Sequence, residues 1–100
     1  MKMYIAIKEW VPTGHALNTA AHAGLIGWLE FGHLQDTRDW LEHSFKKVTC
    51  MVSDEEFAEL KKVENCKVIT ESRLDNGEVS IVFAPRTEWP EIFKTLRLWK

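Results

Sequence analysis

The sequence predicts an α/β fold: one domain over residues 1–100, a small four-stranded mixed sheet, the element order β-α-α-β-α-β-β-α, and helices on both faces. Three observations predict it. Residues 3–7 and 48–52 are largely apolar at consecutive positions, the pattern of strands covered on two sides. Amphipathic stretches separate the strands, which implies parallel pairing through right-handed crossovers. Asp75-Asn76-Gly77 signals a tight turn, because Asn and Gly tolerate positive φ, and so predicts one antiparallel hairpin.

The elements follow in order. Met3-Tyr4-Ile5-Ala6-Ile7 opens as a central strand, and Pro12 and Gly14 then interrupt regular structure. Residues 15–31 read as a helix with Thr13 as N-cap and Gly32 as its stop. A second helix fits 36–46, capped by Asp36, with Trp40, Leu41, Phe45 and Val48 on one face. Residues 48–52 form the second strand. Ser53-Asp54-Glu55-Glu56 is a capping box, because the Ser53 hydroxyl can accept the Glu56 amide while the Glu56 carboxylate reaches back to the Ser53 amide. The third helix then runs to about residue 64, with Phe57, Leu60 and Val63 inward. Residues 67–73 and 79–83 are the hairpin strands. A last helix over 88–99 places Ile92, Phe93, Leu96 and Trp99 on one side, with Pro90 tolerated in its first turn.

Composition narrows the function classes. Of 100 residues, 45% are hydrophobic and 28% charged, the balance of a globular protein rather than a disordered one. No apolar run approaches the ~20 residues that span a bilayer, and the N-terminal apolar run is too short for a signal-peptide core. The net charge of −2 gives no overall basic surplus, so a nucleic-acid contact requires a local patch. Two cysteines are too few for a disulfide framework. Cys50 and Cys66 are expected reduced and buried, in a cytoplasmic setting.

The first long helix carries the chemistry. Successive residues lie about 100° apart around it. Ala16, Ala20, Ala23, Gly24 and Gly27 form a stripe almost without side chains, which lets the backbone approach a neighbour closely. Leu17, Ala21, Leu25, Trp28 and Leu29 read as the core stripe. His15, Asn18, Thr19 and His22 form a third, polar stripe in the N-terminal half. Four hydrogen-bonding side chains on one edge face water, a ligand or a network, since burial without partners is costly. The helix N-terminus adds a field that favours an anion. A solvated edge with one loop-bonded histidine is the plainer account of the same stripe.

No metal site is expected. His15 and His22 are seven positions apart, roughly 10 Å of rise, whereas one ion needs helical ligands at i and i+3 or i+4. No cofactor motif, phosphate loop or G-x-S-x-G elbow is present. Trp10, after the first strand, is placed to wall a site or to cover the core. Arg73 near the hairpin and Arg86 after the fourth strand are the basic candidates for substrate contact, and Glu71 is the best-placed acid.

The opening strand, the loop ending in Gly14 and the helix start His15-Ala16-Leu17-Asn18-Thr19-Ala20-Ala21-His22-Ala23 resemble the type-II (archaeal and eukaryotic) peptidyl-tRNA hydrolase superfamily, or an uncharacterised sister branch of it that keeps an Asn after the Gly. That family carries an Ala-Ala-Gln-x-Ala/Ser-His-Ala signature on its first helix, whose end matches Ala21-His22-Ala23. The likeness spans the element order of the whole chain, while residue-level matching is confined to this helix. The family's catalytic Lys aligns with His15 and its signature Gln with Thr19. Its Asp has no direct counterpart, with Glu71 or Asp75 standing in, and its nearby Thr corresponds to Thr70 or Ser72. The resemblance implies hydrolysis of the ester of a peptidyl- or blocked aminoacyl-tRNA, with tRNA as partner through a local patch. His15, His22, Thr19, Asn18 and Glu71 would be catalytic, and Trp10, Arg73 and Arg86 would bind substrate. A catalytically inactive module on the same fold, binding a small molecule, nucleotide or protein, is the alternative. Pairing of two copies as a homodimer, through helices or sheet edges, is a further expectation.

Overall fold

A computed structural model describes residues 1–100. Strand β1 (Lys2–Lys8) is followed by helix α1 (Thr13–Phe31), helix α2 (Gln35–Asp39) and strand β2 (Lys46–Val52). Helix α3 (Asp54–Leu60), strands β3 (Cys66–Glu71) and β4 (Gly77–Phe83) and a two-residue strand β5 (Arg97–Leu98) complete the chain. The sheet has five strands in the order β3-β4-β1-β2-β5. β1 pairs parallel with β2 and antiparallel with β4; β3 and β5 pair antiparallel with β4 and β2. β1, β2 and β3 therefore point the same way.

Alternation along β1 divides the core in two. Met3, Ile5 and Ile7 pack with Ala16, Ala23 and Trp40 on the α1 side. Ala6 packs with Cys50, Phe57, Leu60, Ile81, Phe83 and Phe93 on the α3 side. The side-chain period of two in a strand produces this division.

The expected four-stranded, eight-element architecture is corrected by the chain end. Residues 88–99 form no α-helix. A 3-10 turn spans Glu91–Thr95, Leu96 is extended, and β5 then pairs Cys50 with Leu98 and Met51 with Arg97. The physical reason lies in where the apolar residues go. Ile92, Phe93 and Leu96 pack beneath the sheet on the α3 side, whereas Trp99 packs on the α1 side. A chain that serves both faces must cross the sheet edge, and it does so extended. That crossing pairs the outer edge of β2, and the Trp99 amide donates to the Thr49 carbonyl at 2.9 Å. Below the sheet, Phe93 anchors the 3-10 turn between Tyr4, Phe83 and Trp89, with ring centroids 4.9, 5.0 and 4.7 Å away.

The second helix also departs from the expected 36–46. α2 is one turn, preceded by Leu34 with no side-chain cap, so Asp36 lies inside it. It passes into a π-turn over Trp40–Ser44 and stops at Phe45, whose backbone is left-handed at φ 57°. The wider turn carries Trp40 into the core, where its indole N–H donates to the Lys46 carbonyl at 2.7 Å. Leu41 and Phe45 stay exposed.

α1 begins at Thr13 with Pro12 in the cap position and no side-chain cap, so Thr13 is not the cap. Its core-facing stripe is the small one. Ala16, Ala23 and Gly27 are buried, and a Cβ on Gly27 would sit 2.7 Å from the Met3 Cε. The expected core stripe points outward instead, with Leu17, Leu25 and Leu29 exposed. Close backbone approach to β1 and β4 leaves no room for leucine on the inner side. α3 carries its capping box: the Glu56 amide donates to Ser53 Oγ at 3.1 Å, and the Ser53 amide to Glu56 Oε1 at 2.8 Å.

Candidate functional site

The site forms where the carboxyl end of β3 meets the N-terminal half of α1. Two local features place its acid and its cation. Glu71 lies two positions after Ile69, which packs in the α1-side core, so the alternation of β3 turns Glu71 to the same face. β3 then closes into a 3-10 turn over Ser72–Leu74, with Arg73 in the turn rather than in the strand. Glu71 Oε1 accepts the Arg73 amide at 3.1 Å and so caps this turn. Leu74 packs onto the α1-side core and ties the turn down. Asp75 and Asn76 both adopt positive φ and reverse the chain into β4.

His15, Asn18, His22, Glu71 and Arg73 together line one cavity of about 340 Å³. All five lining side chains are polar. His15 and Glu71 are half-buried, while Asn18, His22 and Arg73 are exposed. No protein group hydrogen-bonds the His15, Asn18 or His22 side chain, and no carboxylate pairs with the Arg73 guanidinium. The α1 N-terminus opens beside them, without a side-chain cap and without an acid in its first turn. Its positive end is thus uncompensated. The arrangement offers two imidazoles, one amide, one cation and one carboxylate to a single guest.

Three residues named with these five lie elsewhere. Thr19 is 1% exposed and faces the interior, so the polar edge of α1 is His15, Asn18 and His22 alone. Thr19 lies close in angle to Ala16 and Ala23, the centre of the buried arc. Trp10 is half-exposed on the α3 side, its indole N–H donating to Asp54 Oδ1 at 3.4 Å. Arg86 bridges to Lys2, the first residue of β1, at the far end of the sheet. Seven strand residues separate these ends, roughly 20 Å. There Arg86 donates to the Ala84 and Asn65 carbonyls and stacks on Trp89 at 4.7 Å. A larger cavity of about 410 Å³ adjoins Arg86, but its ionisable lining is only Asp36 and Arg86.

The cysteines offer no nucleophile. Both are free. Burial pushes the Cys50 thiol up to about 11, and burial also raises that of Cys66. A thiol so shifted is almost entirely protonated near neutral pH. No group of three or more His, Cys, Asp or Glu side chains converges as a metal site would require. No helix is long and apolar enough to cross a membrane.

Fold and cavity together define a small α/β protein with a polar cleft between its first helix and the carboxyl end of β3. No protein-family model matches the chain, and no curated protein matches it.

Proposed function

We propose that the protein hydrolyses the ester of a peptidyl- or blocked aminoacyl-tRNA, and that the cleft between α1 and the end of β3 is its active site. The observation that carries this reading is the convergence of His15, Asn18, His22, Glu71 and Arg73, from the separate segments 15–22 and 71–73, on one cavity. The resemblance of the first helix to type-II peptidyl-tRNA hydrolases supplies the substrate class.

The chemistry follows from the groups present. A neutral imidazole, His22 or His15, takes a proton from water as the water oxygen attacks the ester carbonyl. Asn18 donates its amide N–H to the oxygen on which negative charge develops. Collapse of the tetrahedral adduct breaks the bond to the ribose oxygen, and the imidazolium returns the proton to that leaving group. Glu71 accepts the Arg73 backbone amide and so holds Arg73 in the lining of the cleft. Arg73 and the open N-terminus of α1 hold the terminal phosphate of the nucleic acid. These two local features supply the basic patch that the overall charge of −2 does not. A cytoplasmic setting accords with this substrate.

The test is release of N-acetyl amino acid from N-acetyl-aminoacyl-tRNA by the purified chain. His15→Ala and His22→Ala serve as variants, with circular dichroism to check folding. Release by the parent and a fall of roughly 100-fold or more in either variant is expected. Unchanged release in both variants would refute the assignment.

One observation favours a second reading. Thr19, which the resemblance aligns with the family's signature Gln, is buried and does not reach the cleft. With His15 in place of the family's Lys, the same cleft is suited to binding an anionic ligand without hydrolysis. Saturable binding of uncleaved N-acetyl-aminoacyl-tRNA by a folded chain that releases nothing is the result this reading predicts.

A further inference from the structure

α1 turns its three leucines away from the core. Leu17, Leu25 and Leu29 are 67%, 59% and 73% exposed. With Ala21 between them they follow one ridge of four-residue spacing, the kind that interdigitates with a like ridge on another helix. Beside the ridge lies a cleft of about 320 Å³, lined by Ala21, Gly24, Trp28, Trp40, Phe45 and Lys47 among others. The Phe45 ring stands at this cleft 5.2 Å from that of Trp40, on a left-handed backbone that is unfavourable for a bulky residue.

We infer that a second copy of this chain covers this face, giving a twofold-symmetric dimer in which the α1 ridges pack antiparallel about Ala21 and Leu25.

Three features of the face select that occupant. The first is charge: residues 13–29 contain no Asp, Glu, Lys or Arg, in a chain that is 28% charged. A helix face that meets only water does not need that exclusion. The second is area. Leu17, Leu25, Leu29, Leu41 and Phe45 together expose on the order of 500 Å² of apolar surface, at the upper end of what monomers show. With a polar rim this approaches the roughly 800 Å² per partner of a stable interface.

The third feature is shape. The ridge is self-complementary about its midpoint, so an antiparallel copy sets Leu25 against the partner's Ala21 and Leu17 against the partner's Leu29. Large meets small at the centre, and Gly24 beside Ala21 leaves the socket open. The polar cleft opens between α1 and β3, whereas this socket opens beside Lys47 of β2.

The experiment is sedimentation velocity of the full chain across the micromolar range, with Leu25→Glu as the disrupting variant. Leu25 is exposed, so this variant is expected to keep its circular dichroism and cooperative melting. The expected result is a dimer for the parent and a dissociation constant raised about 100-fold or more for Leu25→Glu. Register is read by disulfide formation. A mixture of Ala21→Cys and Leu25→Cys chains is expected to cross-link faster than either chain alone, since bridged Cα atoms must lie within roughly 7 Å. A parent that stays monomeric at every concentration would overturn the inference. So would a dimer insensitive to Leu25→Glu, or cross-linking in either single chain that outpaces the mixture.

Discussion

Gly27→Ala is expected to destabilise the protein although alanine is the better helix former. The Cβ it adds would meet Met3 Cε at 2.7 Å, Val82 Cγ2 at 3.0 Å and Met3 Sδ at 3.1 Å. The Met3 terminus can swing aside into another rotamer. Val82 cannot, because it is fully buried on β4 and its β-branched side chain has little rotamer freedom. Overpacking of this kind costs about 1–3 kcal/mol, while replacing an interior glycine contributes about 1 kcal/mol in the other direction. Gly24 is the internal control, because a Cβ there meets only Lys47 Cδ, at 3.8 Å. Gly24→Ala is therefore expected to stabilise by about 0.5–1 kcal/mol. The two variants should differ by roughly 1–3 kcal/mol, each kcal/mol moving Tm by about 4–8 °C in a chain of this size. Urea titration and thermal melting by circular dichroism, at one protein concentration low enough to keep the chain monomeric, measure the difference. A Gly27→Ala variant as stable as Gly24→Ala would refute the burial of the small stripe against β1 and β4.

Three further outcomes follow from local chemistry. Ser53→Ala removes the hydroxyl that accepts the Glu56 amide, and is expected to lower stability by about 1 kcal/mol in urea titration. Cys50 titrates near 11 in the folded protein against an ordinary 9.0, so the unfolded chain loses this proton first as pH rises. The stability it contributes is intact below pH 9 and lost between 9 and 11, by up to about 2–3 kcal/mol. Parent and Cys50→Ala should therefore differ in the slope of stability against pH over that window and not below it. Asn65 holds φ 54° while its carbonyl accepts from Ala84 and Arg86. Asn65→Gly should be near neutral, and Asn65→Val should cost about 1–2 kcal/mol in melting experiments, because β-branched residues resist that backbone.

Much of the topology was legible because it rests on local signals. The apolar runs of β1 and β2, the Ser53–Glu56 box and the Asp75-Asn76 turn each declare themselves within a few residues. The chain end was not legible. Ile92, Phe93, Leu96 and Trp99 are spaced as a helix would space them, yet the open edge of β2 and two core faces compete for them, and that competition is tertiary. The orientation of α1 failed for a related reason. Hydrophobicity alone ranks Leu17, Leu25 and Leu29 as core, but the distance to the sheet admits only Ala16, Ala23 and Gly27.

The candidate site divides along the same line. His15, Asn18 and His22 share one helix edge, so their spacing sufficed to group them. Glu71 shares the face of Ile69 by strand alternation, whereas Arg73 reaches the same cavity through a 3-10 turn, which no periodicity encodes. Thr19, one residue from Asn18, falls 100° further around α1 and into the core. Arg86 sits across the sheet from Lys2, a consequence of strand direction that its place in the sequence does not reveal.

That separation of the two arginines provides the most direct test of the active-site assignment. Arg73→Gln and Arg86→Gln each remove one positive charge, at opposite ends of the sheet, so a general electrostatic effect on tRNA would affect both alike. Release of N-acetyl amino acid from N-acetyl-aminoacyl-tRNA should fall by about 10-fold or more in kcat/KM for Arg73→Gln, the worth of one charge-assisted phosphate contact, and remain near the parent value for Arg86→Gln. Equal losses in the two variants, or a loss confined to Arg86→Gln, would contradict hydrolysis in the cleft of His15, Asn18, His22, Glu71 and Arg73.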